Sequence, residues 1–120
     1  MRMLVILKQL APLYGNEIAR SDASIKSRAF NDKQLGGESH FAIIPTGDTK
    51  ALVSLKPEEL KLYKLIAMQY IAQFYPPMTY QQTTGTVTCQ NYNFNFSGKV
   101  TKSLGWKALF SSAEDNQDED

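Results

Sequence analysis

Cysteine is nearly absent from these 120 residues. Cys89 stands alone, so no disulfide framework and no cysteine zinc site can form within the chain. A single thiol fits a reducing compartment. Histidine is equally scarce: His40 is the only one, which removes any histidine pair for a metal. Long apolar runs are missing too. The opening MRMLVILKQLAPLYG is broken by Lys8 and Gln9, is too short to span a bilayer and lacks a small-residue cleavage site. The expectation is a cytoplasmic, soluble chain with no membrane partner. LGGES (35 to 39) lacks the later glycine and lysine of a phosphate loop, and no small-molecule substrate is expected.

Acidic residues are few once their placement is considered. Thirteen bases face twelve acids, but five of the acids (Glu114, Asp115, Asp118, Glu119 and Asp120) sit in the last seven residues. The body is left with a surplus of six positive charges, which suits a phosphate backbone without establishing one. The acidic end, 111 to 120, is expected to be a disordered tail.

What is present begins with helical spacing. Leu4, Val5, Leu7, Leu10, Ala11 and Tyr14 predict a helix of about three turns, loosened by Pro12 and ended by Gly15. No N-cap precedes it, as in a chain cut from something longer. A short helix is possible near 17 to 24, and NDKQLGGES has the composition of a loop. SLKPEELKLYKLIAMQYIAQFYPP is the clearest element. Pro57 suits a first helical turn, and Glu58 and Glu59 suit the positive end of the dipole. Leu60, Tyr63, Ile66, Ala67, Tyr70, Ile71 and Phe74 line one face, with Leu62, Leu65 and Ala72 widening it. That circumference predicts a helix buried on more than one side, stopped by Pro76 and Pro77.

The period then changes to two. MTYQQTTGTVTC is rich in β-branched residues, and NYNFNFSGKV alternates Tyr92, Phe94 and Phe96 with Asn91, Asn93 and Asn95. Together they predict a hairpin turning near 90 to 92, whose aromatic face packs towards the long helix. SLGWKALF adds a turn and one short element, with Trp106 and Phe110 docked. The fold class is α+β: a helical segment with one long buried helix, then an antiparallel β-hairpin.

Chemistry has few candidates. SIKSRAFNDKQ (24 to 34) is basic and polar, and a solvated surface is its simplest reading. HFAIIPT (40 to 46) carries His40 out of a flexible loop into an apolar run. Packing and ligand contact are both open to it. Ser39 beside His40 is no nucleophile–base pair, because those partners meet through the fold.

SRAFNDK (27 to 33), followed by HFAIIPT, resembles a segment of the bacterial type IA DNA topoisomerases, the topoisomerase III branch in particular. His40, Ala42, Ile43, Pro45 and Thr46 match the family's His-x-Ala-Ile-x-Pro-Thr motif. The helix EELKLYKLIAMQYIAQF and the strands TYQQTTGTVTCQNYNFNFSGKV with GWKAL follow in the family's order, so the resemblance covers about residues 24 to 110. Two features depart from it. The spacer QLGGES is slightly long, with Ser39 where alanine is common. The family's tyrosine nucleophile lies in a run like Tyr-x-Arg-Ser/Thr-Asp, whereas IARSD here has Ile18 in that place.

The resemblance implies a fragment of an enzyme that passes single DNA strands, without ATP, through a transient phosphotyrosine break. Residues 1–76 would be the end of the catalytic-tyrosine domain with its linking helix, and 77–110 part of a β-rich arch. It implies DNA-backbone contacts from His40, Arg28, Lys33 and Thr46, with no catalytic residue and no metal ligand in this chain. Mg²⁺ belongs to an acidic domain of the parent family. The implied partners are DNA, single-stranded and weakly held, and the missing domains. A free-standing module that binds single-stranded DNA or protein without catalysis is the alternative. His40 is expected at the rim of the fold, with Ile43 and Ile44 turned inside.

Overall fold

Helix α1 (Arg2–Ala19) breaks and resumes at the point where the sequence predicts its end. Pro12 lies inside it, and Tyr14 leaves helical geometry (φ −127°, ψ 38°), so two helical stretches meet at a kink. Proline lacks the N–H for one rung of the ladder and crowds the preceding turn, and the chain bends rather than stopping. The computed structural model describes residues 2–37 and 42–111. The acidic tail lies outside the described residues, apart from Ser111.

The chain continues through the single turn α2 (Asp32–Leu35) and a 3₁₀ turn, Lys50–Ser54, to helix α3 (Pro57–Ala72). Pro57 opens α3, and the Glu59 carboxylate accepts the Lys56 backbone N–H at 2.8 Å. The core of this part is the seam between α1 and α3. Ile6, Leu7 and Leu10 are buried from one side; Ala67, Met68, Tyr70, Ile71, Phe74 and Tyr75 from the other. Both sets follow the i, i+1, i+4 spacing of a helix stripe. Two tyrosines tie the ends: the Tyr70 hydroxyl donates to the Met3 carbonyl at 3.3 Å, and that of Tyr75 to the Glu17 carbonyl at 2.5 Å.

Burial of α3 is confined to its C-terminal half. Leu60, Leu62 and Leu65 are 40–59% exposed. The second buried side expected from Leu62 and Leu65 is therefore open, because α1 covers only one stripe of α3. Ile43 and Ile44 also depart from expectation: they face solvent at 83% and 49% exposure, and Pro45 is the buried residue of that run.

The described residues divide into two compact units at Pro76/Pro77. The second is an antiparallel hairpin, β1 (Thr79–Cys89) with β2 (Tyr92–Ser103), followed by a 3₁₀ turn, Gly105–Leu109. The helices followed by this two-stranded sheet make the chain α+β. Gln90 and Asn91 form the turn, both with positive φ (47° and 71°). That is the two-residue turn whose twist suits a hairpin. The register pairs Cys89 with Tyr92, Val87 with Phe94 and Gly85 with Phe96. Tyr92, Phe94 and Phe96 were expected to be buried, yet they are 72%, 60% and 52% exposed. Trp106 and Phe110 meet edge to face with centroids 6.1 Å apart and remain partly exposed.

Candidate nucleic-acid interface

The segment 27 to 33 is polar in composition, yet two of its side chains fasten it to the end of α3. The Ser27 hydroxyl donates to Gln73 Oε1 at 2.6 Å, and the Phe30 ring sits 5.6 Å from that of Phe74. Phe74 is 1% exposed and also meets Tyr70 edge-on at 5.5 Å. The Ser27 hydroxyl further accepts the Ala29 N–H at 3.0 Å, closing a tight turn. Asn31 then caps α2, its Oδ1 accepting the Gln34 N–H at 3.2 Å and its Nδ2 donating to Gln34 Oε1 at 2.9 Å.

With Ser27, Phe30 and Asn31 committed inwards or along the backbone, Arg28 and Lys33 are left exposed. Both are set in a short, anchored segment, the arrangement in which a long cation loses least freedom on meeting a phosphate. Sequence reasoning singled out the two cations. It did not identify Ser27 and Phe30 as the anchors; the signal was a lone aromatic inside a polar stretch.

The second motif is held from the other side. Pro45 and Gly47 are buried and Thr46 between them is exposed. Gly47 has φ +83°, and a Cβ there would stand 2.2 Å from Oε1 of Gln9 on α1. Only glycine allows both the left-handed backbone and that approach. Thr46 Oγ1 accepts the Asp48 N–H at 3.2 Å, and Asp48 Oδ1 accepts the Lys50 N–H at 3.0 Å. Among the described residues, the Thr46 hydroxyl donates to no partner. Its side-chain bond is local and does not join it to Arg28 or Lys33. His40 lies outside the described residues.

Four tyrosines of the helical unit, Tyr14, Tyr63, Tyr70 and Tyr75, have phenols held above their usual range, in each case chiefly by burial. The Asp48 carboxylate raises Tyr63 further, and the buried Tyr63 hydroxyl has no hydrogen-bond partner among the described residues. These groups serve the core rather than the exposed cations. Among the described residues, no group of three or more His, Cys, Asp or Glu residues comes together that could hold a metal ion. No described helix is long and apolar enough to cross a membrane.

Comparison with known proteins finds similarity along most of the chain. The family model described as DNA topoisomerase matches residues 2–120. The DNA topoisomerase 3 of Vibrio cholerae is 36% identical over 99 residues, which is 82% of this chain and 15% of that protein. The DNA topoisomerase 3 of Bacillus licheniformis is 40% identical over 81 residues, covering 68% and 11%. That of Bacillus subtilis is 32% identical over 107 residues, covering 89% and 14%. The chain thus corresponds to a small part of each of these relatives.

Proposed function

Because the chain belongs to the DNA topoisomerase family and is similar to members named DNA topoisomerase 3, we propose that it is the DNA-holding portion of a type IA enzyme. In this reading, residues 1–76 are the end of the catalytic-tyrosine domain with its linking helix, and 77–110 belong to the arch. The rest of the enzyme supplies the tyrosine that breaks one strand and the acidic site for Mg²⁺. The observation that carries the reading is the anchoring of Ser27 and Phe30 on α3, which leaves Arg28 and Lys33 exposed.

The chemistry assigned to each group is modest. The Arg28 guanidinium can grip a phosphate with two parallel N–H donors, and the Lys33 ammonium adds a point charge. The Thr46 hydroxyl donates its proton to a phosphate oxygen. His40 adds a further donor, stronger as the imidazolium. These contacts fix the strand's position without reading its sequence. The substrate is single-stranded DNA in the cytoplasm, held weakly because few phosphates are engaged.

Titrating a labelled single-stranded oligonucleotide across a range of salt tests the assignment. Each phosphate contact on a single strand contributes a slope of about 0.7 in log affinity against log salt. Arg28→Ala with Lys33→Ala should weaken binding and flatten the slope by about 1.4. An unchanged slope removes both residues from the interface. His40→Ala should lose more affinity at pH 6 than at pH 8. Supercoiled plasmid with Mg²⁺ should stay unrelaxed by this chain alone, and relaxation would refute its role as a portion of a larger machine.

A further inference from the structure

The turn that carries Arg28 takes its shape from a residue outside both motifs. Residues 27 to 30 form a β-turn, in which the Phe30 N–H donates to the Ser27 carbonyl at 3.1 Å and Arg28 stands at the first corner. Both ends of the turn are held by consecutive residues just past α3. Phe30 packs on Phe74 through its ring, and Ser27 bonds Gln73 through its hydroxyl. The two attachments differ in kind. Apolar packing is non-directional and lets a turn rock about the contact. A hydrogen bond weakens steeply off its line and so sets an angle.

Gln73 is suited to set that angle because its own amide is held in one orientation. Its Nε2 donates to the Gln69 carbonyl, one helical turn back, at 3.2 Å. A carbonyl oxygen only accepts, so it selects the nitrogen end of the amide and leaves Oε1 towards Ser27. The Ser27 hydroxyl then gives its proton to Gln73 at 2.6 Å, and its oxygen accepts the Ala29 N–H at 3.0 Å. One hydroxyl therefore pins the chain on each side of Arg28, in a direction fixed from the helix outwards. We propose that Gln73 is a positioning residue for the Arg28 guanidinium: it orients the turn so that the guanidinium meets a phosphate with little ordering left to do. The inference rests on the proposed phosphate contact of Arg28 and adds to that site a neutral residue from another element.

The test is a double-mutant cycle on the full chain with one labelled single-stranded oligonucleotide at low salt. Gln73→Met keeps a long, straight side chain of similar helix propensity and removes both amide bonds. Ser27→Ala breaks the same link from the other partner, and carries the same cycle should the methionine variant not fold. Circular dichroism and thermal unfolding of each variant verify that the helices are retained. Ordering one long side chain on binding is equivalent to about a 2- to 12-fold change in affinity. Each variant should therefore bind about 2- to 12-fold more weakly than the parent. Added to Arg28→Ala, Gln73→Met should cause no further loss, since nothing is left to position. Lys33 sits in α2 under its own Asn31 cap, so Gln73→Met should keep its full effect in a Lys33→Ala background.

If folded Gln73→Met and Ser27→Ala chains bind like the parent while Arg28→Ala binds more weakly, the positioning role is overturned and the phosphate contact stands. An equal loss from Gln73→Met with and without Arg28 would make Gln73 a general support of the fold and refute the proposal. Undiminished affinity in Arg28→Ala would remove the contact itself, and the positioning role with it.

Discussion

Phe74→Ala is the perturbation that most directly probes how the fold presents Arg28 and Lys33. The ring is 1% exposed and stands between Phe30 and Tyr70, at 5.6 and 5.5 Å. The backbone carbonyl of the same residue accepts the Asp22 N–H at 2.7 Å, drawing in the start of the 22 to 31 segment. Truncating a buried phenylalanine costs about 3–5 kcal/mol, including the cavity it leaves. The two aromatic pairs, about 0.5–1.5 kcal/mol each, fall largely within that range and are not added to it. The unit Met1–Pro76 is expected to have a total stability of only about 4–11 kcal/mol, at about 0.05–0.15 kcal/mol per residue. Alanine therefore removes a large fraction of it. Phe74→Leu keeps most of the apolar volume and should cost about 1.5 kcal/mol or less. Urea unfolding followed by helical circular dichroism measures both, since the helices lie in this unit. A loss below about 1 kcal/mol in the alanine variant would refute the view that Phe74 is the hub holding the Ser27–Lys33 segment.

Three further outcomes follow from the same packing. Tyr63→Phe should be neutral or stabilising by up to about 1 kcal/mol, because it removes a buried hydroxyl that has no partner among the described residues; a clear loss in thermal unfolding would reveal a bond to that oxygen. Gly47→Ala should destabilise by about 1–3 kcal/mol, since it needs a left-handed backbone and displaces Gln9; a midpoint in urea equal to that of the parent would contradict this. The folded phenols of Tyr14, Tyr63, Tyr70 and Tyr75 are all raised by burial, so the folded state holds their protons more tightly than the unfolded one. Their contribution is fully present below the unfolded value near 10 and is lost as pH rises through the folded values. In a variant with the exposed Tyr80 and Tyr92 replaced by phenylalanine, tyrosinate absorbance should therefore appear together with loss of helix in strongly alkaline solution. Independent titration near pH 10 with the helix intact would show the rings to be accessible.

The elements with strong periodicity were legible without a structure. Pro57, the two glutamates and the closing Pro76–Pro77 delimit α3 by local chemistry that acts whatever surrounds it. The alternation from Tyr92 to Phe96 specifies a strand for the same reason, and a two-residue link then leaves a hairpin as its simplest partner. The paired motifs at 27–33 and 40–46 identified the family, because their residue order is itself the signal. Burial was a different matter. Leu62, Leu65, Ile43, Ile44 and the hairpin rings are apolar, and apolar character says that a side chain gains by being covered, not that a cover exists. Only the packing of α1 on α3 decided which stripe was covered. Pro12 and Gly15 mark a helix end because both weaken a helix locally, and the kink at Tyr14 falls between them. The contacts of Ile6, Leu7 and Leu10, together with the Tyr75–Glu17 bond beyond the kink, outweigh that cost and carry α1 to Ala19. Likewise, the charges of Arg28 and Lys33 were plain in the sequence. Their presentation depends on Ser27 meeting Gln73 and Phe30 meeting Phe74, pairs more than forty residues apart that only the tertiary fold brings together.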